Sequence, residues 1–138
     1  MTILNNVSSQ TVAPSGIINA GNVVAQKGCS TKASGNGIAI VKCGIYDVTA
    51  TVVGLVDGGG IMEFTVLNNN VPIAYLTGQA YTNTGEPATI TLTGHIVVNP
   101  NCCAVTNNIP TTISLQNTSA TTTAVISNVM LDVTKVDC

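Results

Sequence analysis

The sequence predicts an all-β sandwich or barrel. Helical periodicity is almost absent along its length. Val, Ile and Thr, whose branched Cβ atoms suit a pleated strand, dominate, and Gly- and Asn-rich turn signals recur at intervals of about ten residues. No domain boundary or internal repeat interrupts this pattern.

The elements follow in order. "TVAPSGIIN" (11–19) is an irregular first strand, and "CSTKA" (29–33) is a short one that turns at "SGNG" into "GIAIVKC" (37–43). Then come "IYDVTATVV" (45–53), "IMEFTVLN" (61–68), "VPIAYLT" (71–77) and "ATITLTGHIVVN" (88–99), followed by "TTISLQN" (111–117) and "TAVISNVMLDVTKV" (123–136). The turns "VDGGG", "NNN", "TNTGEP" and "NTSATT" consist of residues that tolerate positive φ or bond their own backbone. "VDGGG" links two strands with no helix or Lys after it, so it is a hairpin and not a phosphate loop. The segment 1–10 precedes the first of these strands and is assigned to an N-terminal extension, leaving 11–138 as the folded domain.

A chain of 138 residues is one domain in size and buries roughly two-thirds of its unfolded surface without needing staples. Only 7% of it is charged, and no formal charge occurs between Pro87 and Leu131. Solubility then rests on Thr, Asn, Ser and Gln, which weakens the colloidal protection against association. Such a surface suits a chain that works inside an assembly. A net charge of −2 with Lys as the only strong cation argues against nucleic-acid binding. The mean hydropathy of +0.43 does not imply a membrane span, because Asn, Gly, Pro or Thr breaks every long uncharged stretch. "MTILNNVSSQ" lacks the basic and apolar regions of a signal peptide. The expectation is a soluble protein made in a bacterial cytoplasm.

Two strands carry apolar residues on both faces. In the last, Val125, Val129, Leu131 and Val133 lie on one side, and Ile126, Met130 and Val136 on the other. In "ATITLTGHIVV", Ile90, Leu92, Ile96 and Val98 form the core face, and Thr91, Thr93, His95 and Val97 point away. A sandwich strand needs only one buried side, so the second faces are candidate subunit contacts.

Catalytic and metal chemistry find little support. His95 is the only histidine, and the six carboxylates are scattered with no close pair for acid–base work or calcium. No enzyme activity, cofactor or resident metal is expected. The sequons at Asn6 and Asn117 are what chance gives in a chain so rich in Asn and Thr. The Asn- and Thr-rich loops "YTNTGEP" and "NTSATTT" make carbohydrate a candidate ligand, although they lack the aromatic platforms common in lectins.

The segments "GIAIVKCGIYDVTATVVG", "EFTVLNNNVPIAYLTG", "ATITLTGHIVVNPNC", "TTISLQNTS" and "VISNVMLDVTKV", in this order, resemble the tumour-necrosis-factor-like and complement-globular-head jelly rolls in their bacterial and phage form. The resemblance covers about Val12 to Val136 and is strongest to phage head-fibre or head-decoration proteins. It is more distant to spore-surface collagen-like glycoproteins, whose Gly-x-y stalk is missing here. The resemblance implies a ten-strand jelly roll assembling as a homotrimer. The trimer-interface candidates are then Thr91, Thr93, His95, Val97, Ile126, Met130 and Val136. If three copies of His95 meet on the axis, they offer a place for an ion or water. Met1, Thr2, Ile3 and Leu4 are candidate capsid contacts. The implied function is a virion structural protein on the outer head surface, a trimeric decoration or head-fibre-like auxiliary protein, made in the host cytoplasm, with itself and a major capsid or fibre protein as partners. A receptor- or glycan-binding trimeric head on a tail or fibre is the alternative, and a spore-surface structural domain a weaker one.

The cysteines raise a separate question. Cys29 and Cys43 are symmetric about Asn36, so a hairpin at "SGNG" predicts a cross-strand disulfide between them. The topology implied by the resemblance sets "IYDVTATVV" between "ATITLTGHIVV" and the C-terminal strand. It gathers Cys43, Cys102, Cys103 and Cys138 at one pole with Cys29. Free thiols of a reducing cytosol, disulfides formed after release, and a zinc site are all open there, although adjacent Cys102 and Cys103 suit zinc poorly.

Overall fold

The computed structural model describes residues 1–98 and 111–136. Twelve strands run as β1 (Thr2–Asn6), β2 (Gln10–Val12), β3 (Ile17–Ile18), β4 (Asn22–Gln26), β5 (Thr31–Ser34), β6 (Gly37–Ile40), β7 (Gly44–Val56), β8 (Gly60–Asn68), β9 (Val71–Thr82), β10 (Ala88–Val98), β11 (Thr111–Asn117) and β12 (Ala124–Lys135). They form two antiparallel sheets. One has the order β10-β7-β12-β1-β4 with β2 on β12, and the other has the order β5-β6-β11-β8-β9 with β3 on β11.

Strict alternation builds the core. Along β7 the residues Tyr46, Val48, Ala50 and Val52 are fully buried while their neighbours face outward. The opposing sheet answers with Met62, Phe64 and Val66 of β8 and Ile113 and Leu115 of β11. Side chains from the two inner faces interdigitate, as in other aligned sandwiches. The edge between β9 and β10 closes tightly because two glycines leave room. A Cβ on Gly94 would lie 2.7 Å from Leu76 Cδ2, and one on Gly78 would lie 2.7 Å from Leu92 Cδ2.

Among the described residues, buried polar side-chain atoms are paired. Thr2 and Thr31, from opposite sheets, share a 2.7 Å hydroxyl hydrogen bond. The Tyr46 hydroxyl donates to Lys42 O at 2.7 Å. Asn117, fully buried at the end of β11, donates to Val12 O at 2.9 Å and Thr122 O at 3.0 Å, and accepts from Ser119 N at 3.1 Å.

The predicted elements from residue 37 onward recur within a few residues of their expected ends, except that β9 runs on to Thr82. The N-terminal assignment needs correction. The segment 1–10 is not an extension outside the domain, because β1 lies inside a sheet between β12 and β4. Thr2 and Leu4 are fully buried there, and the Met1 amine donates to Lys27 O at 2.7 Å. Apolar residues alternate with polar ones in "TILNN", but its brevity and its two asparagines hide the strand. β4, paired only with β1, is an edge strand exposed along most of its length, which explains why no alternation marks it.

Candidate functional site

The outward face of β10-β7-β12 is the surface on which most of the sequence-predicted contact residues fall. Register sets them in rows across the three strands. Thr93 lies opposite Thr49 and Thr49 opposite Asp132; Thr91 lies opposite Thr51 and Thr51 opposite Met130. At one end Val97 lies opposite Ile45, and Val136 N donates to Ile45 O at 2.8 Å. At the other end Val125 lies opposite Leu55. The face is therefore threonine-rich in the middle, with Met130 and Asp132 among the threonines, and apolar at both ends. Threonine is a strand former that carries a methyl and a hydroxyl, so such a face can be desolvated at low cost when a partner returns its hydrogen bonds.

A histidine–carboxylate pair sits on this face, with Asp132 a further carboxylate on it. His95 Nδ1 contacts Asp47 Oδ1 directly across the β10–β7 ladder, with the imidazole 67% exposed. Beside it, Tyr75 of β9 donates its hydroxyl to His95 O at 2.8 Å. An open depression of about 560 Å3 lies next to this contact, between the β8–β9 turn and the end of β10, and Val71, Ile73, Tyr75 and Val97 supply part of its lining.

Thr91, Thr93, His95 and Val97 are exposed as expected, Met130 is half-buried on the same face, and Val136 is exposed. Ile126 is a correction, since it is fully buried in the protomer core. The cause is a bulge between Ile126 and Asn128 that reverses the inward phase of β12, so even-numbered residues face the core before it and odd-numbered ones after it. Strand β12 therefore does not carry the second continuous apolar face that simple alternation predicts. Of the capsid-contact candidates, Thr2 and Leu4 point into the core and Met1 and Ile3 are half-buried. Contact through Thr2 or Leu4 would require β1 to leave the sheet.

The described ends of β10 and β12 lie beside the start of β7. Gly44 pairs with Val98, Tyr46 with Lys135, and Val41 N donates to Ser30 O at 2.9 Å. Cys43 is disulfide-bonded, but Cys29 is a free, exposed thiol, so the two are not joined to each other. The reason is register. The β5–β6 hairpin turns on two residues, Gly35 at φ 55° and Asn36, which pairs Ser34 with Gly37 and Thr31 with Ile40. Continuing that ladder sets Cys29 opposite Lys42, one residue short of Cys43 and on the other face. Cys102, Cys103 and Cys138 lie outside the described residues. Among the described residues, no group of three or more His, Cys, Asp or Glu side chains could hold a metal ion, and no helix is long and apolar enough to cross a membrane.

Two surface tyrosines carry no mark in the sequence pattern that singled out the threonine face. Tyr75 and Tyr81 are 68% and 69% exposed, both on the outward side of β9. Period-two alternation with the buried Leu76 sets Tyr75 outward, whereas Tyr81 lies beyond Thr77, where the predicted strand ends.

Two antiparallel sheets with this strand order define a jelly roll of the tumour-necrosis-factor type. Solved structures share it across nearly the whole chain. "PRD1 vertex protein P5" is 17% identical with a TM-score of 0.61, covering 99% of this chain and 72% of that one. The Eiger TNF of S. frugiperda is 12% identical with a TM-score of 0.67, covering 99% and 92%. Murine APRIL is 13% identical with a TM-score of 0.54, covering 98% of each chain. At these identities the likeness is one of fold. No protein-family model matches the chain, and no curated protein does.

Proposed function

We propose that the chain is a structural protein of a phage virion that assembles as a homotrimer and decorates the outer surface of the head. The observation that carries the reading is the outward face of β10-β7-β12, where threonines and two apolar ends surround the Asp47–His95 pair and Asp132. A strand face poor in charge, with exposed apolar residues at its ends, is suited to contact with a partner. The sharing of the fold with a phage vertex protein supports the virion setting. The role is passive: the protomer folds around its own core, copies bury the threonine face against one another, and the assembly sits on the major capsid protein or a fibre protein. No catalytic step is assigned.

Quantitative mass spectrometry of purified virions tests the setting. Copy numbers on the scale of the major capsid protein support decoration. A few copies per particle, confined to tail fractions, would move the chain to the receptor-binding alternative, and absence from virions would remove the proposal.

A further inference from the structure

On the opposite sheet, away from the proposed contact face, a second depression of about 550 Å3 opens between β8, β9 and the loop that follows β11. Its floor is Ile61 with the Glu63–Gln79 pair, in which Gln79 Nε2 donates to Glu63 Oε2. Tyr81, directly opposite Ile61 in the ladder, forms one wall, and the loop 118–122 forms the other. We infer that this depression is a binding site for a neutral glycan.

The chemistry on display fits that class. A pyranose presents a face of C–H groups that stacks on an aromatic ring, with hydroxyls at the rim that both donate and accept hydrogen bonds. Tyr81, the first residue of "YTNTGEP", offers an exposed ring of that kind, which corrects the expectation that this stretch lacks an aromatic platform. Glu63 supplies acceptor oxygens and Gln79 a mixed amide, held together by their own contact. The lining holds one carboxylate and no Lys or His, so a phosphate or sialate group would meet Glu63 with nothing to offset it.

The far wall is also built in advance. Thr118 N donates to Glu63 O at 3.0 Å, Thr122 Oγ1 donates to Ile61 O at 2.6 Å, and Ser119 N donates to the buried Asn117 amide oxygen at 3.1 Å. A loop fixed before the ligand arrives loses little freedom on binding. The volume lies within the ~300–1,000 Å3 typical of small-ligand sites.

The test is a printed array of neutral and sialylated oligosaccharides probed with the full chain, followed by titration of the best neutral ligand while tyrosine resonances are observed. The expected result is binding to neutral glycans only, with Tyr81→Phe retaining it and Tyr81→Ala weakening it about tenfold. Ala120→Trp places bulk on an exposed position of the loop and should weaken binding as well without touching the core. Tyr75→Ala, on the other depression, should leave binding unchanged. No neutral ligand at millimolar concentration, preference for the sialylated set, or full binding by both Tyr81→Ala and Ala120→Trp would overturn the inference. The site lies on the sheet opposite the threonine face, so failure here would leave self-association intact, and loss of self-association would leave this binding measurable.

Discussion

Replacing Asn117 tests how the end of the sandwich is held. Its side chain is fully buried and closes three hydrogen bonds, to Val12 O, Thr122 O and Ser119 N. Truncation to Ala leaves those backbone groups without their partner. At ~1 kcal/mol net for each bond, the loss is about 3 kcal/mol. That is a large share of the ~5–15 kcal/mol available to a domain. For a chain of this size it lowers Tm by roughly 6–12 °C, which calorimetry or circular-dichroism melting can read.

Asn117→Asp sharpens the test. The new carboxylate keeps an acceptor for Ser119 N but turns an oxygen toward the two carbonyls that the amide now serves. Burial and those carbonyls raise its folded-state pKa above the unfolded value of ~3.9. Below the unfolded pKa both states are protonated and the variant is least harmed. As pH rises from there toward the folded pKa, the unfolded state loses its proton first and the variant loses stability. The Asn117→Asp protein should therefore melt closer to the parent at about pH 4 than at about pH 8. A change under ~0.5 kcal/mol for Asn117→Ala, or an Asn117→Asp protein indifferent to pH, would refute the reasoning.

Two further substitutions probe the frame. Leu4→Ala removes a fully buried side chain from β1 and should cost about 3 kcal/mol in denaturant unfolding. A near-neutral result would mean that β1 is the loose extension it resembled in sequence. Gly94→Val drives a side chain into Leu76 at the β9–β10 edge and should destabilise by ~1–3 kcal/mol, whereas an unchanged midpoint would show that this edge is open.

Most of the sandwich is legible in the sequence because long strands advertise themselves. Strands β7 and β10 alternate over their full length, and the alternation gives both the core residues and the outward threonines. The bulge in β12 was not legible. One extra residue near Ser127 leaves the composition of the strand unchanged while moving Ile126 from the contact face into the core. The cysteines failed by one residue for a related reason. Symmetry about Asn36 and a two-residue turn at Gly35 and Asn36 differ by half a step, and half a step of symmetry changes the face. The glycan depression was out of reach because its parts come from β8, β9 and the loop after β11, which only tertiary pairing brings together. The sequence places Tyr81 at the opening of the "YTNTGEP" loop, whereas β9 runs on to Thr82 and sets Tyr81 on the outward side with Tyr75.

Light scattering on the purified chain, across dilutions and with and without reductant, tests the central claim most directly. The predicted particle has three times the protomer mass of 14.0 kDa. Thr51→Lys with Thr91→Lys, which sets two cations opposite each other on the outward face, should return it to a folded single copy. A native chain that scatters as one protomer at every concentration, or a double-lysine variant that keeps the larger mass, would contradict the account.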